Sequence, residues 1–530
     1  MSESVMNTSF TDADSAEINW IDLPAEVWGN ILGFVDGKSL IQTTETCKKL
    51  NDIVELHPKL IDMIWLKLEV GNMTEEQSIE VLQAIIKSRR KYKQFFLHYV
   101  KSRWFEDENV IAALEKLGKT VTALATESVK FVSRKALVDT LRMFPRLRRL
   151  QLKLVTVDDD KGAAFQYVGE ILHLPHLADL YLVEYYPWIC DLFESSVNIK
   201  KLESYIIKWC DDDPTTFENL MYRQLSLQKL RLGIFRQGRL FKVDRSKDVQ
   251  FQLNKLLLNG AFFTDSDHLL SFLQTQRKLK KLQINLANEY EKKLDELLFY
   301  NEIMQFVLTG LPELIKLCVH QDKFKFPGLD FIAALPPNTT IEHLRISGES
   351  VDIFTSLVTT VLPNIKRLNY ETNLYSSSVP ASSTINTMQN LESLIADKFF
   401  ADCLRDIHIQ SGKLQHFDFT ARESSDEFEE NFRIFMQRHS SLTRLRIGIV
   451  KFMAYIYISR SLCEHIVANL TELRELNIQN FRDINSEVPL LVNSLKDLSN
   501  LEVSREQFKL VTIATFNECS RNGVCIAVGK

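Results

Sequence analysis

The side chains able to do chemistry in this chain are scattered rather than clustered. Its eight cysteines include no Cys-x-x-Cys pair, and the closest two, Cys519 and Cys525, lack partners at zinc-ligand spacing. The closest histidines, His173 and His176, flank Leu174-Pro175 and read as turn and surface residues rather than ligands. No Gly-x-Ser-x-Gly, His-Glu-x-x-His or Gly-x-x-x-x-Gly-Lys occurs, and 17 glycines in 530 residues disfavour phosphate-cradling loops. The sequence therefore predicts no catalytic residue, no metal and no cofactor. What it carries instead is the chemistry of recognition. Cations recur at one position of a repeated hexapeptide: Arg149, Lys201, Lys229, Lys255, Lys281, Lys316, Arg367 and Arg444. Two residues on come Tyr181, Arg231, Arg345 and Arg446. Such a lane suits an acidic or phosphorylated segment, with arginines gripping it bidentately. The plainer alternative is that these cations are solvated and paired with neighbours. Tyr181, Tyr185, Tyr186 and Trp188 make an aromatic-rich corner that suits an interface anchor or simply core. The candidate ligand contacts are Tyr181, Lys229, Arg231, Lys281, Arg345, Arg367, Arg444 and Arg446.

The hexapeptide that positions them is Leu147-Arg-Arg-Leu150-Gln-Leu152. It returns at Leu177/Leu180/Leu182, Leu227/Leu230/Leu232, Leu279/Leu282/Ile284, Leu442/Leu445/Ile447, Leu473/Leu476/Ile478 and Leu498/Leu501/Val503. Weaker copies start at 199, 253, 314, 341, 365, 391 and 414, giving steps of 22 to 35 residues that average 27. Fainter ones lie at Tyr92/Phe95/Leu97 and Val121/Leu124/Thr126. The last two apolar positions of each copy sit two apart, so they share one face of a short strand. The residues that follow each copy leave room for one return helix. One such unit cannot bury its own apolar face, whereas stacked copies bury a continuous core. The pattern resembles leucine-rich repeats of a long subtype, over about residues 92–510. That resemblance implies an α/β horseshoe with short parallel strands inside and helices outside. A large α/β domain with Leu-rich strands is the alternative. The charged helix Asn288–Leu298 reads as an insertion, and the Ser-rich stretch Thr372–Thr387 as a loop.

A composition of 45% hydrophobic and 25% charged residues with net charge −5 describes an ordinary soluble chain and disfavours a general nucleic-acid binder. Scattered cysteines suit a reducing compartment, cytoplasmic or nuclear. Residues 1–19 are polar, without a basic start or an apolar core, and read as a disordered tail. The greasy stretch Arg446–Ile458 is too short to span a bilayer, so no membrane association is expected.

Between tail and repeats lies Ile21-Asp-Leu23-Pro24-Ala-Glu26-Val27-Trp-Gly-Asn-Ile31-Leu32-Gly-Phe34-Val35. Pro24 fits a first helical turn and Glu26 its positive end. Val27, Ile31 and Val35 share one helix face, with Leu32 beside them. Ser39–Thr46 and Lys48–Glu55 predict two more short helices. With Leu40 and the Cys47-Lys48 pair, these residues resemble an F-box; Thr46 and Leu50 depart from its usual valine and tryptophan. The resemblance implies a partner: a Skp-type adaptor, docked through Leu23, Pro24, Val27, Ile31, Leu32, Val35 and Leu40, and through it a cullin–RING ligase. It further implies a non-catalytic substrate receptor of an SCF-type ubiquitin ligase, with a protein substrate on the concave face of the repeats. The alternatives are a scaffold of leucine-rich repeats unconnected to ubiquitin, whose N-terminal helices merely cap the solenoid, and, least favoured, an enzyme. The expected organisation is a tail over 1–19, an F-box-like helical module over 20–66, a connector with a capping helix over 67–91, and a leucine-rich-repeat solenoid with C-terminal cap over 92–530. Thr74 with Gln77 three residues on predicts the start of the connector helix.

Overall fold

The computed structural model describes residues 24–33, 35, 37–61, 63–158, 171–207, 215–235, 241, 249–261, 266–285, 295–320, 329–347, 351–371, 379–399, 403–409, 412–421, 428–449, 458–478 and 481–528. They fall into two units, Met1–Tyr185 with Leu192–Ser196, and Tyr186–Asp191 with Val197–Lys530.

The first unit opens with four short helices, α1 (Ala25–Leu32), α2 (Gly37–Thr46), α3 (Lys48–Leu56) and α4 (Pro58–Ile61). The carbonyl of Pro24 accepts from the amides of Val27 and Trp28, both at 3.1 Å, so the proline sits where its missing N–H is not needed. Cys47 caps α3, its Sγ accepting from the amide of Leu50 at 3.4 Å. These helices close on Leu32, Leu40, Leu50, Ile53, Val54, Leu60 and Ile64, with Trp28, Val35, Ile41, Cys47 and Met63 packed against them. Leu50, at the position where an F-box usually has tryptophan, is thus part of the interior.

Parallel strands follow at once: β1 (Trp65–Glu69), β2 (Gln94–Val100), β3 (Ala123–Phe131), β4 (Arg149–Lys153), β5 (Thr156–Val157) and β6 (Asp179–Tyr185). β1 pairs with β2, β2 with β3, β3 with β4 and β4 with β6, residue opposite equivalent residue. The ladder therefore starts at Trp65, earlier than the residue 92 read from the sequence. Helix α5 (Glu75–Lys87) connects β1 to β2 and is the return helix of a repeat in its own right. Its capping box is present: the Gln77 amide donates to Thr74 Oγ1 at 3.2 Å, and the Thr74 amide to Gln77 Oε1 at 3.0 Å. Successive repeats also share a left-handed residue towards the end of the strand, at Tyr99, Ser128, Leu154 and Glu184, with φ between 49° and 56°.

The second unit continues the scheme with β7 (Lys201–Ile207), β8 (Lys229–Phe235), β9 (Lys255–Ala261), β10 (Lys281–Asn285), β11 (Lys316–His320), β12 (His343–Ser347) and β13 (Arg367–Glu371). Then come β14 (Ser393–Phe399), β15 (His416–Ala421), β16 (Arg444–Ile449), β17 (Glu475–Ile478), β18 (Asn500–Val503) and β19 (Cys525–Val528). Each pairs in parallel with the next, and the first residue of one strand lies opposite the first residue of its neighbour. The hexapeptide explains why. Its apolar positions, such as Leu230 with Leu232 and Leu445 with Ile447, are buried on the helix side, and slipping by one residue would expose every one of them. This is the leucine-rich-repeat solenoid arrangement expected from the periodicity.

Helices return between the strands, among them Ser266–Thr275, Asp295–Thr309, Phe428–Arg438 and Ile484–Ser494. Residues 288–294 of the predicted insertion helix lie outside the described residues. Part of the stretch expected to be a loop, Val379–Asn386, is instead helical. Ser382, Thr384 and Ile385 are buried there, so packing overrides the serine-rich composition.

A polar staple to the preceding repeat recurs at three places in the second unit. Gln224 Oε1 accepts the Ile199 amide at 2.9 Å while its Nε2 donates to the Leu220 carbonyl at 2.8 Å. Gln276 Oε1 accepts the Leu253 amide at 2.8 Å. His439 takes the same place further on: its Nδ1–H donates to the Phe435 carbonyl at 2.9 Å and its Nε2 accepts the Ile409 amide at 3.3 Å. All three side chains are buried, and each satisfies a backbone donor that would otherwise be orphaned in the core.

Candidate docking and recognition surfaces

Two surfaces emerge, one on each unit. The first is on α1, which carries two apolar stripes rather than one. Trp28 and Leu32, four apart, turn inward to the module's core. Val27 and Ile31, also four apart, turn outward and are 40% and 42% exposed. Pro24 is exposed at the end of the same helix, and Val35 is half-buried at its margin. Leu23 lies outside the described residues. Of the residues expected to dock the adaptor, Leu32 and Leu40 are 3% and 0% exposed, and their side chains fill the module's interior. Thr46 is exposed and hydrogen-bonds the Thr43 carbonyl at 2.7 Å, so this departure from the F-box pattern leaves the packing intact.

Two contacts hold the module's shape. A side chain at Gly29 would run into the His57 ring, its Cβ 2.6 Å from Cδ2, so only glycine lets α1 approach the end of α3 this closely. Arg90, from the segment after α5, donates through Nε to Glu55 Oε1 at 2.8 Å and through a second nitrogen to Asn51 Oδ1. Both partners lie on α3. Burial opposes it, but the Glu55 hydrogen bond and Tyr92 raise the Arg90 pKa, so the guanidinium is charged where it meets Glu55. It fixes the helical module to the repeats of the same unit.

The second surface is the strand face opposite the helices in the second unit. Register brings together residues far apart in sequence. Lys201, Lys229, Lys255, Lys281 and Lys316 stand opposite one another in five consecutive strands. His343 and Arg367 continue the line. Two residues further along each strand come Glu203, Arg231, Leu257, Gln283, Cys318 and Arg345.

The predicted ligand contacts divide by partner. Arg231 lies 3.8 Å from Glu203 and stacks over Tyr205, 4.9 Å from its centroid. Arg345 lies 3.9 Å from Glu371, Arg446 3.4 Å from Asp418 and Arg444 3.3 Å from Glu475. These arginines are paired with carboxylates of neighbouring strands. Lys201 pairs with Glu203 at 2.9 Å. Among the described residues, no carboxylate pairs with Lys229, Lys255, Lys281 or Lys316. Burial first, and then the lysines beside them, hold Lys255 and Lys281 below the ordinary lysine range. Burial and the cations Arg367 and Lys316 likewise lower the His343 pKa. Lys201, Lys255 and Lys316 belong to the cation lane read from the sequence but not to its candidate ligand contacts; strand register places them in one row with Lys229 and Lys281. On the first unit, Tyr181 is half-buried and Tyr185 is fully buried, so Tyr185 belongs to the core. Tyr186 and Trp188, in the second unit, are half-buried.

Among the described residues no group of three His, Cys, Asp or Glu side chains is placed to hold a metal, and no helix is long and apolar enough to cross a membrane. His173 and His176 are both exposed.

Comparison with known proteins identifies the helical module. Residues 20–62 match the F-box domain family. No curated protein matches the chain significantly. Among solved structures, a chain of the Toll–Spatzle complex from Drosophila is similar, with 12% identity and a TM-score of 0.38 over 83% of this chain and 60% of that one. The repeat architecture rests on the strands' own register rather than on that likeness.

Proposed function

We propose that the F-box domain at residues 20–62 makes this chain the non-catalytic substrate-recognition subunit of an SCF-type ubiquitin ligase. The F-box docks a Skp-type adaptor, and through it a cullin–RING core, while the repeats hold a protein to be ubiquitinated for degradation. The observation that carries this reading is the outward stripe of Pro24, Val27 and Ile31 on a module whose own core is already complete. Covering two such aliphatic side chains contributes roughly 1 kcal/mol each, enough to matter in a docking interface. Catalysis then comes from proximity: the receptor holds an acceptor lysine near a ubiquitin-charged enzyme and supplies no reacting group. The Arg90 grip on α3 supports this, because it holds the adaptor-docking helices to the first repeats of the same unit.

The same grip also suits a second reading, a repeat scaffold whose N-terminal helices merely cover the first strands. Capture of purified Skp-type adaptor separates the two. Wild-type chain should retain adaptor, Val27→Glu/Ile31→Glu should lose it, and both should give the same circular dichroism. Failure of the wild-type chain to capture adaptor would sink the ligase reading in favour of the scaffold.

A further inference from the structure

The lysine row on β7–β11 is an arrangement that the fold itself should resist. Neighbouring strands lie about 4.8 Å apart, and like charges directly opposite each other destabilise a sheet. Five lysines in register nevertheless line up over four strand spacings, about 19 Å. One carboxylate, Glu203, pairs with the row at its Lys201 end. The four lysines that follow have no carboxylate partner among the described residues. Lys229 is exposed, and Lys255, Lys281 and Lys316 are half-buried, their stems lying along the sheet. Beside the row, Leu257 on β9 and Cys318 on β11 are 8% and 3% exposed, with Gln283 between them.

We propose that this row binds an extended acidic peptide segment, about six residues rich in aspartate and glutamate, lying across the strands. The proposal rests on the substrate-receptor reading and names the class of substrate. Three features select the occupant. The cations form a line and do not converge on a point, so they match charge spread along a chain rather than one phosphoryl group. They are lysines, which act as point charges, rather than arginine forks, which would favour planar bidentate anions. A six-residue extended segment spans roughly 20 Å, the length of the row. Each inner strand is paired on both sides, so the peptide cannot join as an added strand and must be read through its side chains. Nucleic acid is disfavoured, because a base needs an open ring to stack on and Tyr205, the aromatic on this face of β7, is already covered by the Arg231 guanidinium, 4.9 Å from its centroid.

The test is fluorescence polarisation with the full chain bound to its Skp-type adaptor. Four labelled probes share Gly-Ser flanks or length: a hexaglutamate peptide, its hexaglutamine counterpart, a version with alternating phosphoserines in place of glutamates, and a single-stranded oligonucleotide. The hexaglutamate peptide should bind and the glutamine peptide should not. Lys255→Gln/Lys281→Gln should weaken binding roughly tenfold, the effect of losing two partly screened charge pairs. Lys255→Arg/Lys281→Arg should retain it, and the exposed pair Lys496→Gln/Lys509→Gln should leave it unchanged. Equal binding of the glutamate and glutamine peptides, or equal loss in the Lys496/Lys509 control, overturns the proposal. So does binding of only the phosphoserine peptide, or tighter binding of the oligonucleotide. Adaptor capture is scored in the same preparation: captured adaptor with no acidic-peptide binding refutes the lysine row and leaves the receptor reading standing, whereas peptide binding without adaptor does the reverse.

Discussion

The staple at His439 ties stability to pH in a way that its glutamine counterparts do not. Burial pushes the His439 imidazole down to about 4, against a slight opposing pull from the Phe435 carbonyl. The geometry agrees, since Nδ1 is committed as a donor and Nε2 must stay unprotonated to accept the Ile409 amide. An unfolded chain takes up a proton near pH 6.5, whereas the folded one waits until about pH 4. Stability from this site is therefore full above about pH 7, is lost as pH falls through that window, and levels off below about 4. The two-and-a-half-unit gap corresponds to about 3 kcal/mol in all, of which about 2 kcal/mol are gone by pH 5. His439→Gln places at this position the side chain that Gln224 and Gln276 use in theirs, keeping an acceptor for Ile409 while removing the titration. Urea unfolding of both proteins at pH 8 and pH 5 measures the difference. Other groups, including Glu487, whose carboxyl burial pushes up, titrate alike in both proteins and cancel. Wild type should lose about 2 kcal/mol more than the variant on acidification. If the two lose the same amount, His439 is not held neutral by its site and the reasoning fails.

Three further outcomes follow from the packing. Leu40→Ala empties a fully buried site in a module with a small core, a loss of about 2–5 kcal/mol that should abolish adaptor capture by unfolding the module, visible as faster proteolysis within residues 24–61. Arg90→Ala removes the partly exposed link to Glu55 and Asn51, worth about 1 kcal/mol after solvent screening, and should raise hydrogen exchange in α3 while leaving that of β9–β18 unchanged. Leu154→Asn relieves a left-handed backbone at φ 54°, and a melting temperature below wild type would contradict the roughly 0.5–1 kcal/mol of stabilisation expected.

Most of the ladder was legible because the hexapeptide combines period-2 burial with an apolar residue, usually leucine, at a fixed distance ahead of it. Every copy counted from the sequence coincides with a described strand, the two faint ones at Phe95 and Leu124 included. Besides the two-residue β5, two strands were missed for opposite reasons. β1 carries the signal, as Met63-x-x-Leu66-x-Leu68, but it abuts the F-box and was absorbed into it. β19 lacks the leading apolar residue, since Gly523 stands there with φ 70° and turns the chain into the strand. In the helical module the motif named the right residues without separating those that fill the core from those that face outward. Val27, Trp28, Ile31 and Leu32 are all apolar, and which pair turns inward depends on where α3 packs, which the spacing along α1 does not contain. The recognition face was half legible. The cations were visible as a list, but which of them are already matched by carboxylates is a property of neighbouring strands, not of the chain's order.

The in-register lysine row also makes this surface a ruler graduated in whole repeats. Each repeat of the stretch adds one rung, about 4.8 Å long, and the staples show that a repeat needs only its immediate neighbour to be complete. Excising residues 253–278 would bring Gln252 up to Leu279, remove Gln276 together with the Leu253 amide it caps, and set Lys229 beside Lys281, with the apolar positions Leu230 and Leu282 again opposite each other. The shortened chain should fold and match an acidic segment one rung shorter, a change of reach made without altering any contact on the remaining rungs. Recognition length in such an architecture is a matter of counting, open to adjustment by duplication or loss of a unit rather than by redesign of a pocket.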